Sequence, residues 1–299
     1  MTETNAWFRI AGILQWMLFY FSYPDPHLGR ILFWNALFFV PARCRKAFRS
    51  FSGKDAVMMI ICHEIGELKD FVRRCKKEGK SIGLVTTMGA LHEGHASLIR
   101  AARKENDIVI TTVFVNPTQF AAHEDLGTYP RQEVLDAELL ASAGCHLMFA
   151  PTTDEMYPEG FSTGVSVGGP SEGLETDFRP HFFGGVAVVV AKLLNQVQAD
   201  VAVFGEKDYQ QLQVIRRMVA DLSFQTDIVG VPTVRDVDGV ALSSRNVYLS
   251  ADERAAAPVL SRSLAAAAEA IATGVAEPGT IEATIRRVLD AEPLAEPDL

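Results

Sequence analysis

The sequence predicts an α/β fold built on a parallel sheet, and three observations carry that prediction. Short apolar, β-branched runs alternate with longer stretches of helical periodicity. Polar loops marked by glycine or proline separate them. The loops richest in chemistry-bearing side chains follow directly after strand runs, at the strand ends where such sheets bind ligands. In order, residues 63–80 place Ile65, Leu68, Phe71 and Val72 on one helical stripe that closes at Gly79. Residues 82–85 read as a short buried strand, 96–104 as a helix, and 108–115 (IVITTVFV) as a second strand. A helix lies within 130–144, closed by Gly144, and 147–150 is a third strand. Helix 184–198, strand 201–204, helix 209–222 and strand 227–231 follow. Such alternation implies right-handed crossovers between parallel strands. Beyond Ser250 the chain is alanine-rich, with helical patterns over 252–273 and 279–290, and no internal repeat appears.

The bulk composition is that of a globular chain, with 299 residues, 48% hydrophobic and 22% charged. A net charge of −9 disfavours nucleic acid as a partner. The first 58 residues are different: seven Lys/Arg face three Asp/Glu, and all three Trp and eight of the eighteen Phe lie there. Two apolar runs, 10–21 and 31–40, are each shorter than the roughly 20 residues that span a bilayer. The turn SYPDPHLGR separates them, and the basic residues Arg43, Arg45, Lys46 and Arg49 follow. Three readings stand: a hairpin making membrane contact at the surface, a targeting segment without a small-residue cleavage pattern, or upstream sequence without a native role. Four cysteines, Cys44, Cys62, Cys75 and Cys145, form no CxxC and read as reduced, buried thiols of a cytoplasmic protein.

Four segments offer chemistry. His92-Glu-Gly-His95 opens a helix after strand 82–85. A helix N-terminus presents unpaired N–H groups and a positive dipole end, which suits phosphate. Imidazoles at i and i+3 face one way and can donate hydrogen bonds as charge grows in a transition state. Gly89 and Gly94 allow close backbone approach. A metal pair is disfavoured, because zinc helices place histidines at i and i+4 with a third ligand. Gly205-Glu-Lys-Asp208 follows strand 201–204 and could serve a nucleotide, with Lys207 for phosphate charge and Asp208 for ribose, magnesium or orientation. Leu242-Ser243-Ser244-Arg245 has the groups to clamp a polyphosphate, and Asn116-Pro-Thr-Gln119 has two amides able to fix a small hydroxy acid. Taken singly, surface histidines, a charged loop, a polar turn and satisfied loop amides account for each.

Together, TTMGALHEGHASLI, FVNPTQF, EDLGTYPR, FGEKDYQQLQVIRRMV and VGVPTVRDVDGVALSSRNVYLS resemble the pantothenate synthetase (pantoate–β-alanine ligase) family, in order and spacing, from about residue 59 to about residue 290. The resemblance implies a Rossmann-like nucleotidyltransferase domain over 59–233 and a C-terminal lid domain over 234–299, with 1–58 outside the match. It implies a cytoplasmic homodimer that joins pantoate to β-alanine through pantoyl adenylate, with ATP as substrate and Mg2+ as companion ion. Carried over, Met88, Gly89, Ala90, Leu91, His92, Glu93, Gly94 and His95 cradle ATP, with His95 as proton donor. Gly205, Glu206, Lys207 and Asp208 hold ATP, Val234 packs near adenine, and Leu242, Ser243, Ser244 and Arg245 close over the polyphosphate. Gln119 and Gln211 hold pantoate, Gln119 also lies near β-alanine, Asn116 and Arg179 are further site residues, and Asp136 is a magnesium partner.

The chain departs from the family pattern in places. Thr86 replaces a proline, FAAHEDL replaces a glycine-bearing loop, and Leu242 replaces a methionine. In Arg179-Pro-His-Phe-Phe-Gly-Gly-Val186, Phe182 stands at the family's histidine position and His181 one place early, about 100° away on a helix. The family continues into a strand-rich lid segment, so the lid here is expected to be truncated and mainly helical. That leaves two alternatives to the full ligase: a lid-truncated fragment that keeps the nucleotide-binding fold, and an adenylate-forming enzyme with a different acid substrate.

Overall fold

The computed structural model describes residues 47–49, 58–121 and 124–295, which belong to one compact unit. The apolar runs 10–21 and 31–40 and Cys44 lie outside the described residues. Seven strands form one sheet: β1 (Ala47–Arg49), β2 (Met58–Cys62), β3 (Ile82–Thr87), β4 (Ile108–Val113), β5 (Leu147–Phe149), β6 (Val201–Gly205) and β7 (Asp227–Val231). Their order is β1-β2-β5-β4-β3-β6-β7, and every pair is parallel except β1 with β2. From β3 the chain builds outward through β4 and β5, then returns to place β6 and β7 on the other side. The β3–β6 junction is therefore the topological switch point, where such sheets open a crevice at their carboxyl ends.

The expected α/β fold is present, with two additions. The sequence reading gave no strand to MMIIC, yet Ile60–Cys62 pairs in register with Leu147–Phe149. A run that short has too little periodicity to declare itself; its partner strand decides it. β1 pairs antiparallel to β2, so the sheet reaches into the segment expected to lie outside the family match. β3 and β4 are buried along nearly their whole length, which explains why they read as continuous apolar runs rather than alternating ones. β4 stops at Val113, two residues short of expectation, because Asn116-Pro117 begins a turn.

The main helices are α1 (Ile65–Lys77), α2 (Glu93–Glu105), α3 (Glu133–Ala143), α6 (Phe182–Val197) and α7 (Tyr209–Asp221); two single-turn helices, α4 (Thr153–Met156) and α5 (Glu175–Phe178), were not foreseen. α1 buries Leu68, Val72 and Cys75, one stripe of its surface, while α6 is buried almost all round because other elements cover several of its faces. The N-terminus of α1 lacks a cap from its own turn, and Glu155 supplies one by accepting the Ile65 N–H at 2.7 Å. Met59, Val85, Ile99, Val109, Leu140 and Met148 sit at the centre of the core, each contributing about 1.5–3 kcal/mol by burial. Cys62, Cys75 and Cys145 are buried.

The helical pattern over 252–273 resolves into α8 (Ala251–Ala256) and α9 (Val259–Ala272), followed by α10 (Pro278–Leu289). Pro258 divides the first two, because it lacks the N–H that a continuous helix needs. No helix among the described residues is long and apolar enough to cross a membrane.

Candidate active site

Between β3 and α2 the chain makes a turn that only special backbone can make. Gly89 has φ +86° and Ala90 φ +51°, two successive left-handed residues, and the alanine is strained there by roughly 1–2 kcal/mol. A buried carboxylate holds the turn in place. Asp136 of α3, 1% exposed, accepts the Leu91 N–H on Oδ1 at 2.8 Å and the Ala90 N–H on Oδ2 at 3.1 Å. Burial raises its pKa, while hydrogen bonds from Leu91, Gln132 and Ala90 act against that rise. Each Asp136 oxygen thus holds a backbone donor, which gives the side chain a structural role in the turn beside the magnesium role that the resemblance implies. Among the described residues no group of three His, Cys, Asp or Glu could hold a metal ion.

The two histidines follow at once. His92 is the N-cap of α2, and its Nδ1 accepts the Gly94 N–H at 3.1 Å. His95 reaches back, and its Nδ1 accepts the His92 N–H at 3.3 Å, which completes a reciprocal capping box. A backbone N–H can only donate, so each neutral ring carries its proton on Nε2. The backbone thus fixes both imidazoles as Nε2–H donors on the wall of the cleft, with ring centroids 4.1 Å apart. A Cβ on residue 94 would lie 2.9 Å from the His92 ring, so Gly94 is what lets that ring pack against the helix start. Burial lowers the pKa of His95 to about 3, with His92 and Lys207 adding repulsion. Burial and then Lys207 lower that of His92. Near neutral pH both rings are neutral donors, and an anionic ligand beside them would favour protonation.

These shifts set a stability trend. His95 at about 3 and His146 at about 4, the latter lowered by burial, Arg103 and Lys80, both lie below their ordinary 6.5. Between those values the unfolded chain binds protons that the folded chain refuses, so stability rises with pH and is lost on acidification below about pH 6.5. Each group contributes at most about 1.4 kcal/mol per pH unit. Urea unfolding at pH 7.5 and pH 5.5 is expected to show the lower stability at pH 5.5, and equal midpoints would contradict it.

The opposite wall comes from β6. Gly205 leads into a tight turn, Glu206–Asp208, and α7 then brings Gln211 to the same opening. After β7, a hairpin closed by the Leu242 N–H to Val234 carbonyl bond at 3.0 Å delivers the serine loop. Ser243 caps that loop by accepting the Arg245 N–H at 3.2 Å. Tyr129, buried and given no role by the sequence reading, meets the loop from the other side. Its hydroxyl lies 3.2 Å from Ser244 Oγ, and its ring lies 5.6 Å from the Arg245 guanidinium. Nothing in the local sequence signals a contact between positions 129 and 244.

One cleft at the β3–β6 junction is lined by Met88, His92, Gly94, His95, Asn116, Gln119, Gly205, Lys207, Asp208, Gln211, Val234, Leu242, Ser243, Ser244 and Arg245. Val186, Val189, Val190 and Leu193 of α6 add an apolar wall that its uninterrupted valine run could have suggested. Ala90 and Leu91 turn into the core instead, Glu93 pairs with Arg100 at the surface, and Glu206 and Asp136 do not line the cleft.

Asn116 and Arg179, at the cleft and its adjoining chamber, also hold structural bonds. Asn116, 1% exposed, gives its amide hydrogens to Gln119 Oε1 at 3.0 Å and the Gly185 carbonyl at 3.1 Å. Arg179 spends its guanidinium on Glu124 through two 2.7 Å bonds, on Glu175 at 2.8 Å and on the Gln119 carbonyl at 3.0 Å. Both brace the Gln119 loop. Arg179 also borders an adjoining chamber, shared with Gln119, Lys207, Gln211 and Arg245, and its guanidinium stacks on Phe182 at 4.1 Å. His181 is exposed and lines neither space.

The Pantoate-beta-alanine ligase family model matches residues 60–299. The chain belongs to this family. Among ligase relatives, pantothenate synthetase from Caulobacter vibrioides is 60% identical over 215 residues, covering 72% of this chain and 75% of that one. Pantothenate synthetase from Sinorhizobium medicae is 52% identical over 235 residues, covering 79% and 81%. The solved pantothenate synthetase of Thermus thermophilus shares the fold with a TM-score of 0.74 at 49% identity, covering 78% and 83%. The Francisella tularensis pantoate-beta-alanine ligase, solved in complex with beta-gamma ATP and beta-alanine, aligns with a TM-score of 0.67 at 35% identity, covering 77% and 86%. The parallel sheet and helical C-terminal part seen here are consistent with membership of the ligase family.

Proposed function

We propose that this chain condenses pantoate with β-alanine at the expense of ATP, through pantoyl adenylate, within the β3–β6 cleft. The observation that supports this most is the convergence of four donor groups, His92, His95, Lys207 and Arg245, with the two amides Gln119 and Gln211 around one opening. In the first half-reaction a pantoate carboxylate oxygen attacks the α-phosphorus of ATP and pyrophosphate leaves. Negative charge grows on the departing phosphates, where Nε2–H donors and two cations would stabilise it. In the second, the β-alanine amine attacks the acyl carbon, AMP leaves with the bonding electron pair, and the amine gives up a proton. Val234 and its neighbours would receive the adenine, and Gln119 and Gln211 would hold the acid. Magnesium would travel with the ATP phosphates, as that ion keeps water and phosphate oxygens around it. Asp136, whose oxygens each hold a backbone N–H, would serve the ion through its hydration water.

The test is pyrophosphate exchange into ATP by the full chain with magnesium and pantoate, followed by addition of β-alanine. Pantoate-dependent exchange and then AMP release are expected. Exchange driven equally by unrelated hydroxy acids, or none from folded protein, overturns the proposal; exchange without AMP release confines it to adenylate formation.

A further inference from the structure

We infer that Tyr157 is a positioning residue for the acid-binding subsite: it anchors the Asn116 amide, and through it the Gln119 amide, in the orientation that the backbone sets. This rests on the reading of Gln119 as a contact for the acid substrate. Two backbone groups decide the orientation of the Asn116 amide. The Thr118 N–H, which can only donate, points to Oδ1 at 3.4 Å, and the Gly185 carbonyl, which can only accept, lies 3.1 Å from Nδ2. Oδ1 also accepts the Thr118 hydroxyl at 2.9 Å and the Tyr157 hydroxyl at 2.8 Å. One Nδ2 hydrogen is held by the Gly185 carbonyl, and the other goes to Gln119 Oε1 at 3.0 Å. Gln119 then turns its own NH2 toward the cleft, where its present acceptor is the Met88 thioether at 3.2 Å. A thioether is a weak acceptor that a substrate oxygen readily replaces. The subsite therefore presents a donor and selects an oxygen acceptor, a carboxylate or carbonyl, over a group that must donate. Tyr157 lies 41 residues from Asn116 in the chain and caps the C-terminus of α4.

The experiment compares wild-type chain, Tyr157→Phe and Asn116→Asp in pantoate-dependent pyrophosphate exchange, with KM measured separately for pantoate and for ATP. Phenylalanine keeps the ring contacts to Phe114 and Phe161 and removes only the hydroxyl. Tyr157→Phe is expected to raise the pantoate KM about five- to tenfold, the loss of one buried hydrogen bond, with ATP KM within about twofold of wild type. Asn116→Asp, which cannot donate to Gln119, is expected to raise the pantoate KM by more than about tenfold with the same ATP selectivity. Equal rises in both KM values, or an unchanged pantoate KM in folded variants, overturn the relay while leaving the ligase reading intact. Absence of exchange in wild-type chain overturns both.

Discussion

Replacing His95 with asparagine is expected to lower kcat for pantoate-dependent exchange by about 10²–10³-fold while leaving the fold in place. The choice of asparagine follows from the geometry. Its Oδ1 can take over the acceptor role of Nδ1 toward the His92 N–H, so the capping box survives. It carries no donor that reaches the position of Nε2. The loss then reports the missing donor and not a disturbed helix start. His95→Ala removes both, and is expected to lower stability as well by about 0.5–2 kcal/mol, the range for a lost cap. Thermal unfolding of the two variants beside their exchange rates separates the effects. An asparagine variant that keeps its rate within about threefold would show that His95 is not a donor in the reaction.

The second large effect is expected from Gly185→Ala. Gly185 lies in the first turn of α6 against the Asn116–Gln119 turn, and a Cβ there would meet Thr118 O at 2.3 Å, Thr118 C at 2.5 Å and Gln119 N at 2.7 Å. All three are backbone atoms, so no rotamer change relieves the clash. Either the helix or the loop must move, at about 1–3 kcal/mol in stability. The Gln119 amide moves with the loop, and a displacement near 1 Å in a positioning group can lower turnover by about 10²-fold. The neighbouring Gly184→Ala is the control: its Cβ meets nothing nearer than 3.8 Å and is expected to leave activity intact. Its unfolding midpoint should hold or rise, since alanine favours a helix over glycine by about 1 kcal/mol. Equal activity in both alanine variants would refute the account.

Much of this site is legible in the sequence. The histidine pair, the Gly205–Asp208 turn and the Leu242–Arg245 loop are each contiguous, and each follows a strand whose apolar run is visible. A local segment carries its own cap and dipole, so His92-Glu-Gly-His95 announces a helix start wherever it packs. The division of labour among polar residues is not legible there. Asn116 and Gln119 look alike as amides three residues apart, yet the amide of one is held by Thr118, Tyr157 and Gly185 while the other turns its NH2 to the weak Met88 thioether. Asp136 looks like a free acid on a helix until the Ala90 and Leu91 N–H groups, 46 and 45 residues away in sequence, claim both oxygens. Arg179 looks like one more cation of the site, and only the fold shows that Glu124 and Glu175 pair with it.

The sequence by itself determined the α/β alternation, the strand-to-helix junctions and the residue types gathered at them. Backbone periodicity and capping act over a few residues and leave a mark in those residues. The tertiary structure alone decided the sheet order, the pairing of β1 and β2, and which buried polar groups bind one another. Hydrogen-bond partners that close over 40 to 115 residues of intervening chain leave no local trace, although they decide which side chains are left facing the cleft.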